Sequence, residues 1–440
     1  MDPTKPSRVL LLPRELITMI LEGLQHDRRA LLSISLTCQS IYAMALPLLN
    51  RRIVVHNHNR ESYEAAVCQL PRVVQYVREM TIHLHIKGKP SLFGPAGTFD
   101  AYRPIDILAA QGYYPLFTDF VSAIDTMDQL QKLTIKGCGY IGPCRVSPTP
   151  ASYFQHLQRN FQAFNNLFLR AVQGDALPRL RTLELNLSNQ GSWHCEMEGF
   201  LYHPRLKELS IVGASIPAFK PMHQRLRSLP LEELSFLCCD LSPGTLESLL
   251  AVPKALRRLR FRGSPRSEMP EHLEADTQLY VNAIKQQAKS LEYLDISPAF
   301  PVETRAPIDL RSLTALRDLR IRPRTLYGDV DMSPGIGLLG PPLPGTERPR
   351  PALPASLWCL RLWGWDMPYE FTVHITILNN LEWSAMSVPL PSLRYVAIED
   401  DKFVFGGPAV DSDNPITFIW DEPQRQWRFP VDCWCCADGL

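Results

Sequence analysis

"LKELSI" at residues 206–211, "LEELSF" at 231–236 and "LRRLRF" at 256–261 are one pattern, L-x-x-L-x-[LIF], with starts 25 residues apart. It recurs as "LQKLTI" from Leu130, "LRTLEL" from Leu180, "LEYLDI" from Leu291, "LRDLRI" from Leu316 and "LWCLRL" from Leu357. Looser copies start at Val77 ("VREMTI") and Leu393 ("LRYVAI"). Residues two apart on an extended chain share a face. The second Leu and the residue two later therefore point into a core from a short strand, and the first Leu packs from its approach. Stacking such units builds one curved parallel sheet with helices behind it. "PGTLESLLAVP" (243–253) and "LEADTQLYVNAIKQQA" (273–288) carry the helical pattern.

The 25-residue spacing lies inside the roughly 20 to 29 residues of leucine-rich repeats. With its wide gaps, such as 130 to 180, the array resembles the divergent leucine-rich repeats of fungal proteins. The repeat domain is expected over residues 51–402. Between the repeats at 316 and 357, the segment 328–354 holds five Gly and seven Pro and reads as an irregular insertion. Residues 403–440 form a C-terminal extension.

Gly137, Gly139 and Gly142 spell G-x-G-x-x-G directly after a strand-like run. A dinucleotide site needs a helix opening at the last Gly, so that its N-terminus faces the pyrophosphate. Here "PCRVSPTP" follows, and its prolines exclude that helix. Cys138 is the ninth residue counted from Leu130, as Cys239 is from Leu231. Leucine-rich repeats place Asn or Cys there to bond the turn after the strand. Gly137 and Gly139 are thus expected to let the backbone turn around a buried cysteine.

Residues 12–49 lack the repeat. Leu16, Ile17, Ile20, Leu21 and Leu24 fall at helical spacing after Pro13, which suits the first helical position, and Glu15 favours the dipole. Asp27 is placed to cap a second helix with Leu31, Leu32, Ser35 and Leu36 around one face. A third, from Ser40 to Leu49, contains Tyr42, Ala45 and Leu46. Three short helices in so few residues enclose little core and tend to need a partner surface. "LPRELITMILEGL" followed by "LLSISLTCQSIYAMALPLLNRRI" resembles the F-box in its fungal form. Ala30, Gln39 and Asn50 depart from that family's acidic, basic and aromatic residues.

These resemblances imply a fold of α/β class, with a small N-terminal helical F-box (8–50) followed by a curved leucine-rich repeat solenoid of parallel sheet and outer helices. They imply the substrate-recognition subunit of a cullin-RING ubiquitin ligase, its F-box docking a Skp-type adaptor and its repeats holding a target protein. Leu12, Pro13, Leu16, Ile20, Leu21, Leu24 and Leu36 are expected to divide between the F-box core and the adaptor contact, with Tyr42, Leu46 and Pro47 extending it. The alternative is a leucine-rich interaction scaffold with a degenerate F-box and no ligase role.

Target contacts are expected on the sheet face opposite the buried Leu. Those positions hold Arg258, Arg260 and Arg262, then Tyr293 and Asp295, then Asp318, Arg320 and Arg322, then Arg361 and Trp363. Arginine forks and an indole suit an acidic or phosphorylated segment, unless Asp295 and Asp318 pair with the arginines and the row serves only as a solvated face.

Forty-six Lys and Arg against 45 Asp and Glu leave a net charge of +1, so no global field favours nucleic acid or an anionic membrane. The apolar run Val9 to Leu12, cut by Pro13, is too short for a secretory core or a spanning helix, so an intracellular protein of cytoplasm or nucleus is expected. Eleven scattered cysteines fit that compartment. Cys433, Cys435 and Cys436 cluster without a second pair at zinc spacing, and His56-x-His58 and His83-x-His85 lack a third ligand. No H-E-x-x-H, G-x-S-x-G, Walker loop or EF-hand loop occurs, so neither an enzyme nor a cofactor is expected.

Overall fold

The computed structural model describes residues 12–56, 71–84, 117–137, 165–186, 197–263, 277–297, 308–322, 325–326, 352–363, 392–399, 416–421 and 426–428, apart from 215 and 217. Cys138, Gly139, Gly142, His58, His85, the insertion up to Pro351 and Cys433, Cys435 and Cys436 lie outside them. The described chain is α/β, and it divides into two compact units.

The first unit holds helices α1 (Arg14–Gly23), α2 (Arg28–Ser35) and α3 (Gln39–Leu49) and strands β1 (Arg52–His56), β2 (Glu79–Leu84) and β3 (Lys132–Gly137). It also holds β4 (Thr182–Asn186) through Leu185. Strands β1, β2 and β3 pair in parallel and in chain order, with Arg52 opposite Glu79 and Glu79 opposite Lys132. The repeat pattern fixes which side chains turn inward: Met80 and Ile82, then Leu133 and Ile135, then Leu183 and Leu185 are all buried. Gly137, expected in a turn, is instead still extended, opposite Leu84 at the end of β3.

In the second unit β5 (Glu208–Val212), β6 (Glu233–Cys239), β7 (Arg258–Gly263), β8 (Tyr293–Ser297), β9 (Asp318–Ile321), β10 (Cys359–Trp363) and β11 (Tyr395–Glu399) run parallel in chain order. Strands β12 (Ile416–Asp421) and β13 (Gln426–Arg428) close the series antiparallel. One hydrogen-bonding device repeats at the strand starts. The Lys207 carbonyl accepts the amides of Glu232 and Glu233 at 2.8 and 2.9 Å, and the Glu232 carbonyl accepts those of Arg257 and Arg258 at 2.8 and 3.0 Å. Arg257, Glu292, Arg317 and Trp358 each do the same for the next strand. In the units starting at 206, 231, 256, 291, 316 and 357 the first Leu, the second Leu and the residue two later are all buried, for example Leu256, Leu259 and Phe261.

The helix expected over 243–253 occupies Pro243–Leu250, capped by the Ser242 hydroxyl accepting from the Thr245 amide. The one expected over 273–288 is α-helical at Thr277–Ile284 and tightens to a 3-10 turn at Lys285–Gln287. At the turn after β6, Cys239 is buried and its thiol donates to the carbonyls of Leu237 and Ile211 at 3.3 and 3.5 Å, as its place in the repeat requires. Burial pushes that thiol up to about 12, so it stays protonated. Gly213, at φ +77, donates its amide to the Leu237 carbonyl at 2.9 Å and turns the chain leaving β5.

No helix among the described residues is long and apolar enough to cross a membrane.

Candidate functional site

Two surfaces gather the residues singled out in the sequence, one in each unit. On the first, α1 to α3 close over their own small core of Ile17, Leu21, Leu31, Ile41, Ala45 and Leu49. Pro13 stands just before α1, at the cap rather than inside the first turn. The Asp27 carboxylate accepts the Ala30 amide at 2.9 Å and starts α2. Asn50 donates its side-chain amide to the Leu46 carbonyl at 2.8 Å and ends α3, so this departure from the F-box pattern serves as a cap.

With that core filled, the remaining apolar residues face outward. Leu12, Leu16, Ile20, Leu36 and Tyr42 are exposed, Leu36 at 83%. Met19 and Leu32 join them and were not anticipated. Leu21 is buried and Leu24 packs half-buried against the same cluster, so these two belong to the core. Leu46 and Pro47 are half-buried on α3, and Pro13 is exposed. The single face expected for α2 splits, with Leu31 and Ser35 turned inward and Leu32 and Leu36 outward.

The second surface lies on β7 to β10. Strand register sets the side chains in transverse rows: Arg260 is opposite Asp295, Asp295 opposite Arg320 and Arg320 opposite Arg361. The row below runs Arg258, Tyr293, Asp318 and Cys359, and Arg262 lies opposite Ser297 in the row above. Neighbours within a row are about 4.8 Å apart and rows about 6.6 Å.

The arginines are held, not waving. Arg262 grips Asp295 with two nitrogens at 2.9 and 3.4 Å, and Arg320 reaches the same carboxylate at 3.2 Å. Arg361 meets Asp318 at 3.0 Å and Arg258 meets Glu233 at 3.4 Å. The guanidiniums of Arg258 and Arg260 lie 5.1 and 5.5 Å from the Tyr293 ring centroid. Those of Arg262, Arg322 and Arg320 lie 4.4, 4.6 and 5.0 Å from that of Trp363. Trp363 is therefore not an open contact: at 4% exposure it is the floor on which three arginines rest.

Pairing with Asp295 and Asp318 does occur, but it does not exhaust the charge. Among the described residues, the guanidiniums of Arg260 and Arg322 have no ion-pair partner and rest on the Tyr293 and Trp363 rings. Burial, aided by the nearby Asp295 carboxylate and opposed by Arg260, raises the Tyr293 phenol above its ordinary value, so it stays un-ionised at neutral pH. Such a surface can hold an anion by forked hydrogen bonds and a planar group by stacking. Among the described residues no three of His, Cys, Asp and Glu converge as metal ligands would.

Set against models of known protein families and against curated proteins, the chain matches none.

Proposed function

We propose that the chain is the substrate-recognition subunit of a cullin-RING ubiquitin ligase of the Skp-cullin-F-box type, working in cytoplasm or nucleus. In this reading α1 to α3 are the F-box and dock the Skp-type adaptor, and the 25-residue units are leucine-rich repeats that hold the target on their strand face. Such a receptor needs no catalytic residue or cofactor, because it acts by raising the target's effective concentration near the transferase.

The observation that carries the reading is the apolar face of the helical module. Leu16, Met19, Ile20, Leu32 and Leu36 stay exposed although the module's own core is complete without them. Apolar residues concentrated within about forty residues, where isolated ones would excite no comment, mark a docking surface. The strand face supplies the second half of a receptor, since the guanidiniums of Arg260 and Arg322 rest on aromatic rings with no ion-pair partner among the described residues.

Binding of the full chain to a purified Skp-type adaptor tests this. Micromolar or tighter binding is expected, and Leu36→Arg, at an exposed position, should weaken it by at least about tenfold, the loss of one central apolar contact of about 1.4 kcal/mol or more. Thermal unfolding should be unchanged in that variant. Absence of adaptor binding by the unaltered chain would leave the scaffold reading in its place.

A further inference from the structure

We infer that the edge of the second unit at which the strands begin binds an acidic protein segment, with Trp358 as its apolar anchor. One position defines this edge: the residue after the first Leu of each repeat, whose carbonyl accepts the two amides that open the next strand. Arg257, Glu292, Arg317 and Trp358 occupy it in consecutive units. At about 4.8 Å per step the row spans about 14 Å, the length of about four extended residues. It lies outside the strand face proposed for the target, since about 16 Å of strand separates Arg257 from Arg262. A protein without adaptor binding would still have this edge.

Trp358 is the exception in its row. In every other unit the position holds Arg, Lys, Glu or Gln, as a solvated edge requires, and here it holds an indole left 48% exposed. The fold does not use that indole: Leu357, Leu360 and Leu362 fill the inward positions of its unit and are fully buried. The Tyr395 ring on β11 meets it edge-on at 4.4 Å, which fixes its orientation and widens the apolar surface. On its other side stands Arg317, whose carbonyl accepts the Trp358 amide at 2.8 Å. Trp, Tyr and Arg are the residues in which binding energy concentrates.

The charge along the edge selects the partner. The acids that precede the strands each hold a base already: Glu232 with Lys207, Glu292 with Arg257 at 3.0 Å and Asp309 with Arg311 at 2.8 Å. Lys254, Lys289 and Arg317 are left over. The two lysines stand at the same offset in consecutive units, two residues before the first Leu. All three side chains are exposed, without an ion-pair or hydrogen-bond partner among the described residues. Spaced cations ending at an indole fit an extended segment with spaced acids and an apolar side chain laid over Trp358. A nucleic acid carries a charge at every residue and would set phosphates against Glu292 and Asp309. A membrane surface takes up several protruding apolar groups, and this row offers one.

The test follows fluorescence anisotropy of labelled acidic polymers titrated with the full-length protein. A random copolymer of Glu and Tyr should bind about tenfold or more tighter than poly-Glu, with affinity that falls as salt is raised. Trp358→Gln takes the residue type that Gln131 supplies at this position in another unit. It should keep the parent's thermal unfolding and bind the two polymers alike. Lys254→Gln combined with Lys289→Gln should weaken both polymers and flatten the salt dependence, whereas Arg260→Gln on the strand face should leave the preference unchanged. No binding of either polymer, equal binding of the two by the parent, or undiminished preference in a folded Trp358→Gln protein overturns the inference. So does tighter binding of oligothymidylate or of phosphatidylserine vesicles than of the copolymer. Adaptor binding measured on the same preparations separates this edge from the receptor reading. An adaptor-competent protein without preference for the Tyr-containing polymer sinks the edge alone, and preference without adaptor binding supports the edge while sinking the ligase.

Discussion

His203 shows what burial does to a single titratable side chain. Its Nδ1 accepts the Arg205 amide at 3.3 Å and its Nε2 lies 3.2 Å from the Leu177 carbonyl, so the proton must sit on Nε2 and the ring is satisfied when neutral. Burial, opposed by the Leu177 carbonyl and aided by Arg205, lowers its pKa to about 4 from 6.5. In the unfolded chain the ring takes its proton near pH 6.5. Between there and about pH 4 the unfolded state binds more protons, so stability is full above 6.5 and falls by about 1.4 kcal/mol per pH unit as the solution is acidified. His203→Gln keeps a donor for Leu177 and removes the titration. Urea midpoints at pH 7 and pH 4.5 should draw together in this variant relative to the parent, and parallel falls in both proteins would refute the assignment.

Gln287 plays the corresponding part between elements. From the 3-10 turn after the helix Thr277–Ile284 it donates to the Leu250 and Pro253 carbonyls at 2.8 and 3.1 Å. It also accepts the Leu256 amide at 3.0 Å and the Ser290 hydroxyl at 2.9 Å. One buried amide thus satisfies the backbone entering one repeat unit from the start of the next. Gln287→Ala leaves those groups dry and unpaired and should cost about 3 kcal/mol, read as a loss of unfolding free energy with the strand-face binding intact. Nothing in the sequence distinguishes Gln287 from the polar residues beside it, because the backbone groups its side chain satisfies lie 31 to 37 residues away. The repeat was legible for the opposite reason: Leu at fixed offsets is a local pattern with one geometric solution. The alternation also placed the arginines on the correct face, while burial of Trp363 depends on Arg262, three repeat units earlier, and could not be read along the chain. On α1 the signal for Met19 was an excess of apolar residues over what one inward stripe, Ile17 and Leu21, can use.

At the scale of the molecule the division into units sets how far a perturbation travels. In a repetitive stack each unit contacts its neighbours and stability is close to a sum of local terms, so unfolding need not be all-or-none. Leu294, fully buried in β8, has its strand partners Leu259 on β7 and Leu319 on β9, all in the second unit. The helical core of Ile17, Leu21, Leu31, Ile41, Ala45 and Leu49 belongs to the first. Leu294→Ala should cost about 2 to 5 kcal/mol locally. Hydrogen exchange followed by mass spectrometry should then show faster exchange in β7, β8 and β9 and unchanged protection in α1 to α3. Adaptor binding, if α1 to α3 carry it, should survive a lesion that abolishes capture on the strand face. Loss of protection spreading evenly through both units would mean that the chain folds as one cooperative body, and docking and recognition would then be inseparable by mutation.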